Sequence, residues 1–245
     1  MTSRLLTPWW RTRIGDGRDD VDGGVLATAI LDWQAPAVQA LLDEVREALP
    51  AGASARELLQ AAHAVIVSRV RPVYGLEESQ RASLTLGRGR GSCSQRLAVL
   101  EAVARAAGIA TRVQGLLVDG RFWYPRFPRM RHAVPDLVLL AWPEFDIEGG
   151  WVPASELFGA VGSLCGTTGF TNADGETLFD ALARTAVDWH GTANLPSCDL
   201  SAQVVRDLGR FASRDALFAQ HGQTMCWPAR MIAGPVLDRR SAVRR

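Results

Sequence analysis

The 245-residue chain is long enough to bury a substantial core, and its 47% apolar and 22% charged residues are typical of a globular protein. A formal net charge of +1 argues against nucleic acid or an anionic membrane as the main partner. All 27 basic residues are arginine, which excludes lysine Schiff-base and phosphate-loop chemistry.

Cysteine spacing and the lack of a recognisable targeting signal indicate the expected cellular compartment. Widely separated cysteines in no CxxC or Cys/His pattern predict neither a metal site nor a cofactor. No stretch resembles a signal peptide or is long enough to cross a membrane, so we expect a cytoplasmic protein with reduced thiols. The four cysteines are Cys93, Cys165, Cys198 and Cys226.

The first third of the chain predicts an arm followed by helices. Residues 1–24 are rich in Arg, Asp and Gly and read as an irregular arm whose Pro8-Trp9-Trp10 docks on the body or helps to close a site. Apolar residues at helical spacing predict a helix over 32–50. A second helix begins at Ser54, which forms a capping box with Glu57, and it ends before Pro72. This helix carries His63, which we expect to be a structural histidine. Residues 74–83 form a polar connection.

The most informative local pattern surrounds Cys93. Glycines at 87–91 predict a tight turn, and Ser92 followed by Gln95 is a capping box that makes Cys93 the first residue of a helix ending near Gly108. Unpaired N–H groups and the helix dipole favour a thiolate there, as a nucleophile requires. The alternative is a small buried residue that packs under the start of a helix.

Three strands are predicted after this helix. The first ends at Val118, where Asp119-Gly120 predicts a hairpin turn into a short return strand over 121–124. His132 precedes a continuous apolar strand over 136–145, and a third strand covers 151–153. An antiparallel order returns the chain to the start of the Cys93 helix, which places Asp119 and His132 near the thiol.

The C-terminal third predicts a loop and helices. The glycine-rich residues 157–175 are either a lid over the site or a plain surface loop, and Cys165 within it has no base beside it. Helical periodicity covers 176–189, and Ser201 and Ser213 predict caps of helices over 201–211 and 214–220 before a basic tail over 239–245. Four remaining side chains are assigned outside the site: His190 and His221 to the surface, and Cys198 and Cys226 to packing.

Residues 87–156 resemble the transglutaminase-like core of papain-type Cys/His/Asp enzymes. The resemblance is carried by Gly-Ser-Cys-x-Gln, by Ala-Ala-Gly-Ile-Ala-Thr-Arg-Val-Gln-Gly, by the histidine before an apolar strand and by Gly-Trp-Val-Pro. It implies an α+β fold in which the catalytic cysteine begins a helix packed on an antiparallel sheet, with additional N- and C-terminal helices. The expected organisation is one transglutaminase-like domain over 1–245, divided into the arm (1–24), N-terminal helices (25–86), catalytic core (87–156) and the glycine-rich loop with C-terminal helices (157–245).

The position of the carboxylate departs from the usual pattern of that superfamily and indicates which of its members the chain resembles most. The carboxylate that usually follows the Trp-Val-Pro strand is replaced by Ser155, with Glu156 beside it. The order Cys93, Asp119, His132 is instead similar to that of the Dieckmann cyclases that form tetramic acids in polyketide–nonribosomal peptide pathways. This implies Cys93 as nucleophile, His132 as general base and Asp119 as the residue that orients the imidazole, with Glu156 as its rival.

The implied partner is an acyl thioester on a phosphopantetheinyl carrier domain. Arginines near the proposed entrance would either bind an acidic carrier or simply solvate the surface; they are Arg88, Arg90, Arg121, Arg126, Arg129 and Arg131. Two other functions stay open. One is a transglutaminase-like hydrolase or amide-forming enzyme with the same residues, and the other is a catalytically silent binding module, which Ser155 favours.

Overall fold

A computed structural model describes residues 21–129, 131–164, 169–173, 175–192 and 196–242. Across these residues the chain is a mixture of helix and strand. The α-helices are α1 (Pro36–Glu47), α2 (Ala55–Arg69), α3 (Ala82–Arg88), α4 (Cys93–Ala106), α5 (Val161–Leu164), α6 (Leu178–Ala181), α7 (Arg214–His221) and α8 (Trp227–Leu237). The strands are β1 (Arg71–Pro72), β2 (Arg90–Gly91), β3 (Thr111–Asp119), β4 (Leu137–Ile147), β5 (Gly150–Pro153) and β6 (Val204–Phe211).

The main sheet is antiparallel, with its strands in the order β5-β4-β3-β6. β3 and β4 pair along the whole of β3, from Thr111 opposite Phe145 to Asp119 opposite Leu137. The continuous apolar run in β4 is explained by burial on both faces of the sheet, which is the environment such runs occupy. β1 and β2 form a separate parallel pair directly before Cys93.

Helix α4 is the central element of the helical layer. It packs against α1, α2 and α3 and against the sheet, and every residue from 95 to 105 is buried. A helix buried on all sides normally has an apolar surface throughout, but α4 also buries charged groups. Arg96 bonds Asp180, and Arg105 donates to Thr111 and to the carbonyl of Ala212.

A fully buried ion pair joins α4 to α7. Arg214 Nε lies 2.5 Å from Glu101 Oε1, and both side chains are 0% exposed. Burial raises the pKa of Glu101, and the charge and hydrogen bond of Arg214 oppose that rise. The pair therefore fixes the position of α7 on α4, because neither charge is tolerated without the other in this environment.

The predicted Asp119-Gly120 hairpin is wrong. Residues 120–123 form a 3₁₀ helix instead of a turn and a return strand, and β4 begins only at Leu137. The cause is local, since the Asp119 carboxylate accepts from the backbone N–H of Arg121 and caps this helix. Only glycine fits at position 120, because the backbone of Pro135 packs directly against it and a Cβ there would lie 1.7 Å from the Pro135 carbonyl oxygen.

The expected helix over 201–211 is also wrong, because this segment is a short 3₁₀ helix followed by β6. β6 satisfies the backbone of β3 on the side away from β4, which local helical spacing does not reveal. The helical prediction for 176–189 holds only for α6, since Asp188 exchanges backbone hydrogen bonds with residues 198 and 200. Helices α3 and α8 were not predicted.

Several other expectations have clear outcomes. The capping boxes at Ser54 and Ser92 and the cap at Ser213 are confirmed. His221 is not a surface residue, since it is 0% exposed and its ring packs edge-on against Phe211. The predictions for residues 1–20, including Pro8-Trp9-Trp10, for part of the glycine-rich loop with Cys165, and for the end of the basic tail lie outside the described residues.

None of the described helices has both the length and the apolar composition required to cross a membrane.

Replacing Arg214 by Met leaves Glu101 buried without its cation. We expect the free energy of unfolding to fall by about 3–5 kcal/mol, measured by urea denaturation at pH 7. Arg69→Met is the matched control, because the Arg69–Glu44 pair is 53% and 38% exposed and its loss should cost at most about 1 kcal/mol. Equal destabilisation by the two substitutions would contradict the role given to the buried pair.

Candidate active site

Cys93 occupies the first position of α4. Ser92 is the N-cap: its hydroxyl accepts from the backbone N–H of Gln95 at 3.3 Å, and the Gln95 side chain accepts from the backbone N–H of Ser92 at 2.9 Å. The thiol side chain is half-buried and packs against the main core. Sequence analysis predicted this placement, which gives the sulfur both the helix dipole and partial access to solvent.

The Gln95 side chain is buried and fully engaged. Its Nε2 donates to the carbonyl of Glu77 at 2.8 Å while its Oε1 is held by Ser92. Gly75 allows the approach, because a Cβ at that position would lie 2.5 Å from Gln95 Oε1. Gln95 therefore fixes the start of α4 and is not available as an oxyanion donor, as expected from the capping box.

Arg214 connects the first turn of α4 to the sheet. Its Nη1 donates to Ser94 Oγ at 3.0 Å and its Nη2 donates to the carbonyl of Ala141 at 3.2 Å. Thr224 binds the same strand two residues before Ala141: its hydroxyl accepts a hydrogen bond from the backbone N–H of Leu139 at 3.1 Å. Arg214 therefore ties the first turn of α4 to the middle of β4.

Asp119 is the last residue of β3, at the same end of the sheet as Leu137. Arg121 binds its carboxylate through the backbone N–H at 2.8 Å, through Nε at 2.8 Å and through Nη2 at 2.6 Å. Hydrogen bonding from the Arg121 side chain lowers the pKa of Asp119, with a smaller contribution from the backbone N–H, and partial burial opposes the shift. The carboxylate is therefore ionised at neutral pH and already has a cationic partner.

His132 lies in an exposed 3₁₀ turn over Arg131–Ala133, shortly before β4 begins at Leu137. The adjacent chain is tied to the end of β3, since the Gly120 N–H donates to the carbonyl of Asp136 at 2.8 Å. Among the described residues, no hydrogen bond joins His132 to Cys93 or to Asp119. Catalytic contacts of unliganded enzymes are often long, so the triad stays a prediction.

The loop that carries His132 is held by Arg126. This half-buried guanidinium donates to Asn172 Oδ1 at 2.7 Å, to the carbonyl of Ala242 at 2.7 Å and to the carbonyl of Glu176. Phe127 in the same loop packs on Tyr74, with ring centroids 4.7 Å apart. Arg126, expected as a surface arginine near the entrance, therefore positions the loop.

Glu156 follows β5, and Ser155 beside it is 5% exposed. Both line a cavity of about 190 Å³ that also contains Arg112, Glu144 and His190. Neither Asp119 nor His132 is among the described residues that line this cavity.

Other candidate residues have plain structural roles. His63 is 2% exposed and its Nε2 lies 2.7 Å from the carbonyl oxygen of Phe179, which fits the structural role predicted for it. Burial is the largest cause that lowers the pKa of His63, although the Phe179 hydrogen bond opposes the shift. Cys198, expected as a packing residue, is buried. It is also disulfide-bonded, so the expectation that the thiols are all reduced is wrong. His190 is exposed, as predicted.

Sequence reasoning missed two residues that position the site. Arg214 is 120 positions from Ser94, and Thr224 is 85 positions from Leu139. Neither lies in a motif that names its partner. Their only local signals are the cap at Ser213, which predicts where α7 begins, and a polar residue in a turn.

Arg121→Gln should raise the pKa of Asp119 toward its ordinary value of 3.8, because the substitution removes the strongest cause of the lowered pKa. In the wild type, the stabilisation from this pair is present above the unfolded-state pKa and is lost as pH falls through the lowered folded-state pKa. Carboxyl ¹³C NMR titration checks both statements. The control is Arg129→Gln in the same loop, and an unchanged Asp119 titration in Arg121→Gln would contradict the assignment.

Comparison with known proteins agrees with this geometry. Residues 39–155 match the family model described as the transglutaminase-like superfamily. No curated protein and no solved structure matches the chain. The match covers α1 to β5 with the intervening Cys93 helix, and enzymes of this superfamily are generally cysteine-dependent. Over residues 39–155 the chain is therefore similar to the transglutaminase-like superfamily, and its helices and antiparallel sheet are consistent with the α+β core of that superfamily, a fold of the cysteine-based acyltransferase and hydrolase type.

Proposed function

We propose that the protein is a Dieckmann cyclase that converts a carrier-bound N-β-ketoacyl aminoacyl thioester into a tetramic acid, a pyrrolidine-2,4-dione. Cys93 is the nucleophile, His132 the general base and Asp119 the carboxylate that orients the imidazole. The reaction releases the product from the carrier and forms its ring in one active site.

The observation that carries the proposal is the end of β3. Asp119, an ionised carboxylate, lies at the end of β3, from which the chain leads into the His132 loop. The position that usually holds the superfamily carboxylate is occupied by Ser155, which lines the cavity with Arg112 and Glu144. The order cysteine, aspartate, histidine along the chain is the order of the tetramate-forming cyclases. A carboxylate supplied by β3 supports that reaction over the more common hydrolytic one.

The first half-reaction is acyl transfer to sulfur. The Cys93 thiolate attacks the thioester carbonyl carbon, and the tetrahedral intermediate collapses with departure of the phosphopantetheine thiolate, which takes up a proton. The developing oxyanion is met by backbone N–H groups at the start of α4, since the Gln95 amide is engaged elsewhere. One such donor is typically worth about 3–4 kcal/mol.

The second half-reaction forms the ring. His132 removes a proton from the carbon between the two carbonyls of the β-ketoamide, and the carbanion attacks the acyl carbon attached to Cys93. The C–S bond breaks, the thiolate is restored, and a five-membered ring leaves the enzyme. Because both reacting carbons belong to one tethered chain, the intramolecular attack gains about 7–11 kcal/mol relative to a bimolecular reaction.

An arginine rim beside the Cys93 helix supports an acidic carrier domain as the partner. We define the rim as Arg71, Arg88, Arg239 and Arg240, all exposed. β1 pairs with β2 directly before Cys93, and the backbone of Ala242 bonds that of Pro72, so the rim surrounds this strand pair. Arg90, expected in the same role, is paired with Asp238 and contributes less free charge.

Cys93→Ala and His132→Ala should each abolish ring formation from an N-acetoacetyl aminoacyl N-acetylcysteamine thioester, with kcat/KM at least about 10³-fold lower. Asp119→Asn should lower it by about 10²–10⁴-fold. Product is measured by liquid chromatography with mass spectrometry. His190→Ala and Glu156→Gln are the matched controls and should retain wild-type rates, because both residues line a cavity whose lining includes neither Cys93, Asp119 nor His132.

Three outcomes contradict the proposal. A wild-type protein that incorporates amines into glutamine, or hydrolyses the thioester without forming a ring, is a transferase or hydrolase with the same cysteine. Loss of activity in Glu156→Gln but not in Asp119→Asn makes Glu156 the orienting residue. A Cys93 that iodoacetamide does not alkylate near neutral pH identifies a silent binding module.

The arginine rim predicts a salt dependence that only the carrier-bound substrate shows. Arg239→Ser/Arg240→Ser should lower kcat/KM for the carrier-bound thioester by about tenfold at low ionic strength, because it weakens electrostatic steering. The same variant should turn over the N-acetylcysteamine thioester at the wild-type rate, which is the internal control. Equal losses with both substrates would contradict a docking role for the rim.

A further inference from the structure

A groove between α7 and α8 lies outside the candidate catalytic residues. Its volume is about 560 Å³, within the range of small-molecule sites. Trp227 at its edge is 63% exposed, which is unusual for so large an apolar ring. The apolar side chains that line the groove are Ala29, Ile30, Phe218, Ala219, Met225 and Trp227.

The charged groups on the groove wall are satisfied within the chain. Asp215 accepts from Thr28 Oγ1 at 2.5 Å and from the backbone N–H of Ile30 at 3.1 Å. Arg230 donates to Glu77 at 3.0 Å and to the carbonyl of Met225 at 2.7 Å. Asp215 and Arg230 carry opposite charges and both are bound within the chain, so the groove wall has no net charge and offers mainly apolar contacts. The complementary occupant is therefore neutral and apolar.

The groove wall is connected to the start of the Cys93 helix. Gln223, which lines the groove, donates to Glu77 Oε1 at 2.5 Å, and the carbonyl of Glu77 accepts from Gln95 Nε2 at 2.8 Å. Gln95 in turn holds the N–H of Ser92, the residue before Cys93. Two intermediate residues thus separate the groove wall from the N-cap of the nucleophile's helix.

We propose that the groove binds the acyl chain of the thioester substrate and sets its length. This inference rests on the proposed function, in which the acyl chain of the substrate extends from the β-keto carbon away from the bond that forms. The chain lies along α7 and covers Trp227, while the reacting carbonyls remain at Cys93. The groove therefore determines specificity and takes no part in bond making.

The test is a series of N-β-ketoacyl aminoacyl N-acetylcysteamine thioesters that differ only in acyl length. For the wild type, kcat/KM should rise by about two- to fourfold for each methylene that the groove covers. Ala219→Trp should retain the wild-type value for the acetoacetyl substrate and lose the increase with length, because the indole fills the groove. Ala219→Leu should lose part of the increase.

Ala216→Trp is the matched control. Ala216 lies on the same helix, is exposed and does not line the groove, so this variant should keep the full length dependence. The same length dependence in Ala219→Trp and Ala216→Trp would overturn the proposal. A change of oligomeric state in Ala219→Trp alone, with unchanged length dependence, would identify a second copy of the chain as the occupant and would also overturn it.

A binding measurement separates this inference from the proposed function. Isothermal titration of Cys93→Ala with unreactive N-acyl amino acid amides should give affinities that increase with acyl length, and Ala219→Trp in this background should abolish the increase. Length-dependent binding without cyclisation of any thioester would reject the cyclase function and retain the groove. Cyclisation with one kcat/KM at every length would reject the groove and retain the cyclase.

Discussion

The position of Cys93 depends on one buried amide. Gln95 is 1% exposed, and its side chain bonds both the N–H of the N-cap residue and the carbonyl of Glu77. A buried amide that lost either bond would leave a polar atom unsatisfied, at a cost of about 1–3 kcal/mol. The start of α4 is therefore fixed in its direction and in its distance from the preceding loop, and both the candidate nucleophile and the neighbouring groove take their places relative to it.

The two ends of the sheet have different chemical content. One end carries Asp119, opposite Leu137, and leads into the segment with His132. The other end carries Glu144, whose carboxylate forms ion pairs with both Arg112 and Arg210. Arginine already binds a carboxylate at both ends: Arg121 donates three hydrogen bonds to Asp119, and two guanidinium groups contact Glu144. The two ends therefore differ in which loop follows the carboxylate, since the chain leaves Asp119 toward the segment that carries His132.

Local patterns in the sequence determined the elements that carry the chemistry. The Ser92/Gln95 box fixes where the Cys93 helix begins because the cap and its partner are three residues apart and bond each other. The strand β4 was predictable because its continuous apolar run matches its burial. The transglutaminase-like α+β core, and with it the cysteine-based class of enzyme, was therefore readable from the chain.

Contacts between distant residues decided the rest. Asp119-Gly120 has the composition of a hairpin turn, but Gly120 is used for a close approach to Pro135 and β4 starts much later. β6 reads as a helix by itself and becomes a strand because β3 offers an unpaired edge. Arg214, Arg126 and Thr224 act on partners far along the chain, and no local pattern encodes such pairings. The sequence by itself determined that Cys93 begins a helix before an antiparallel core, whereas only the tertiary structure decided that Asp119 lies opposite Leu137 at one end of the sheet, because that position follows from strand register.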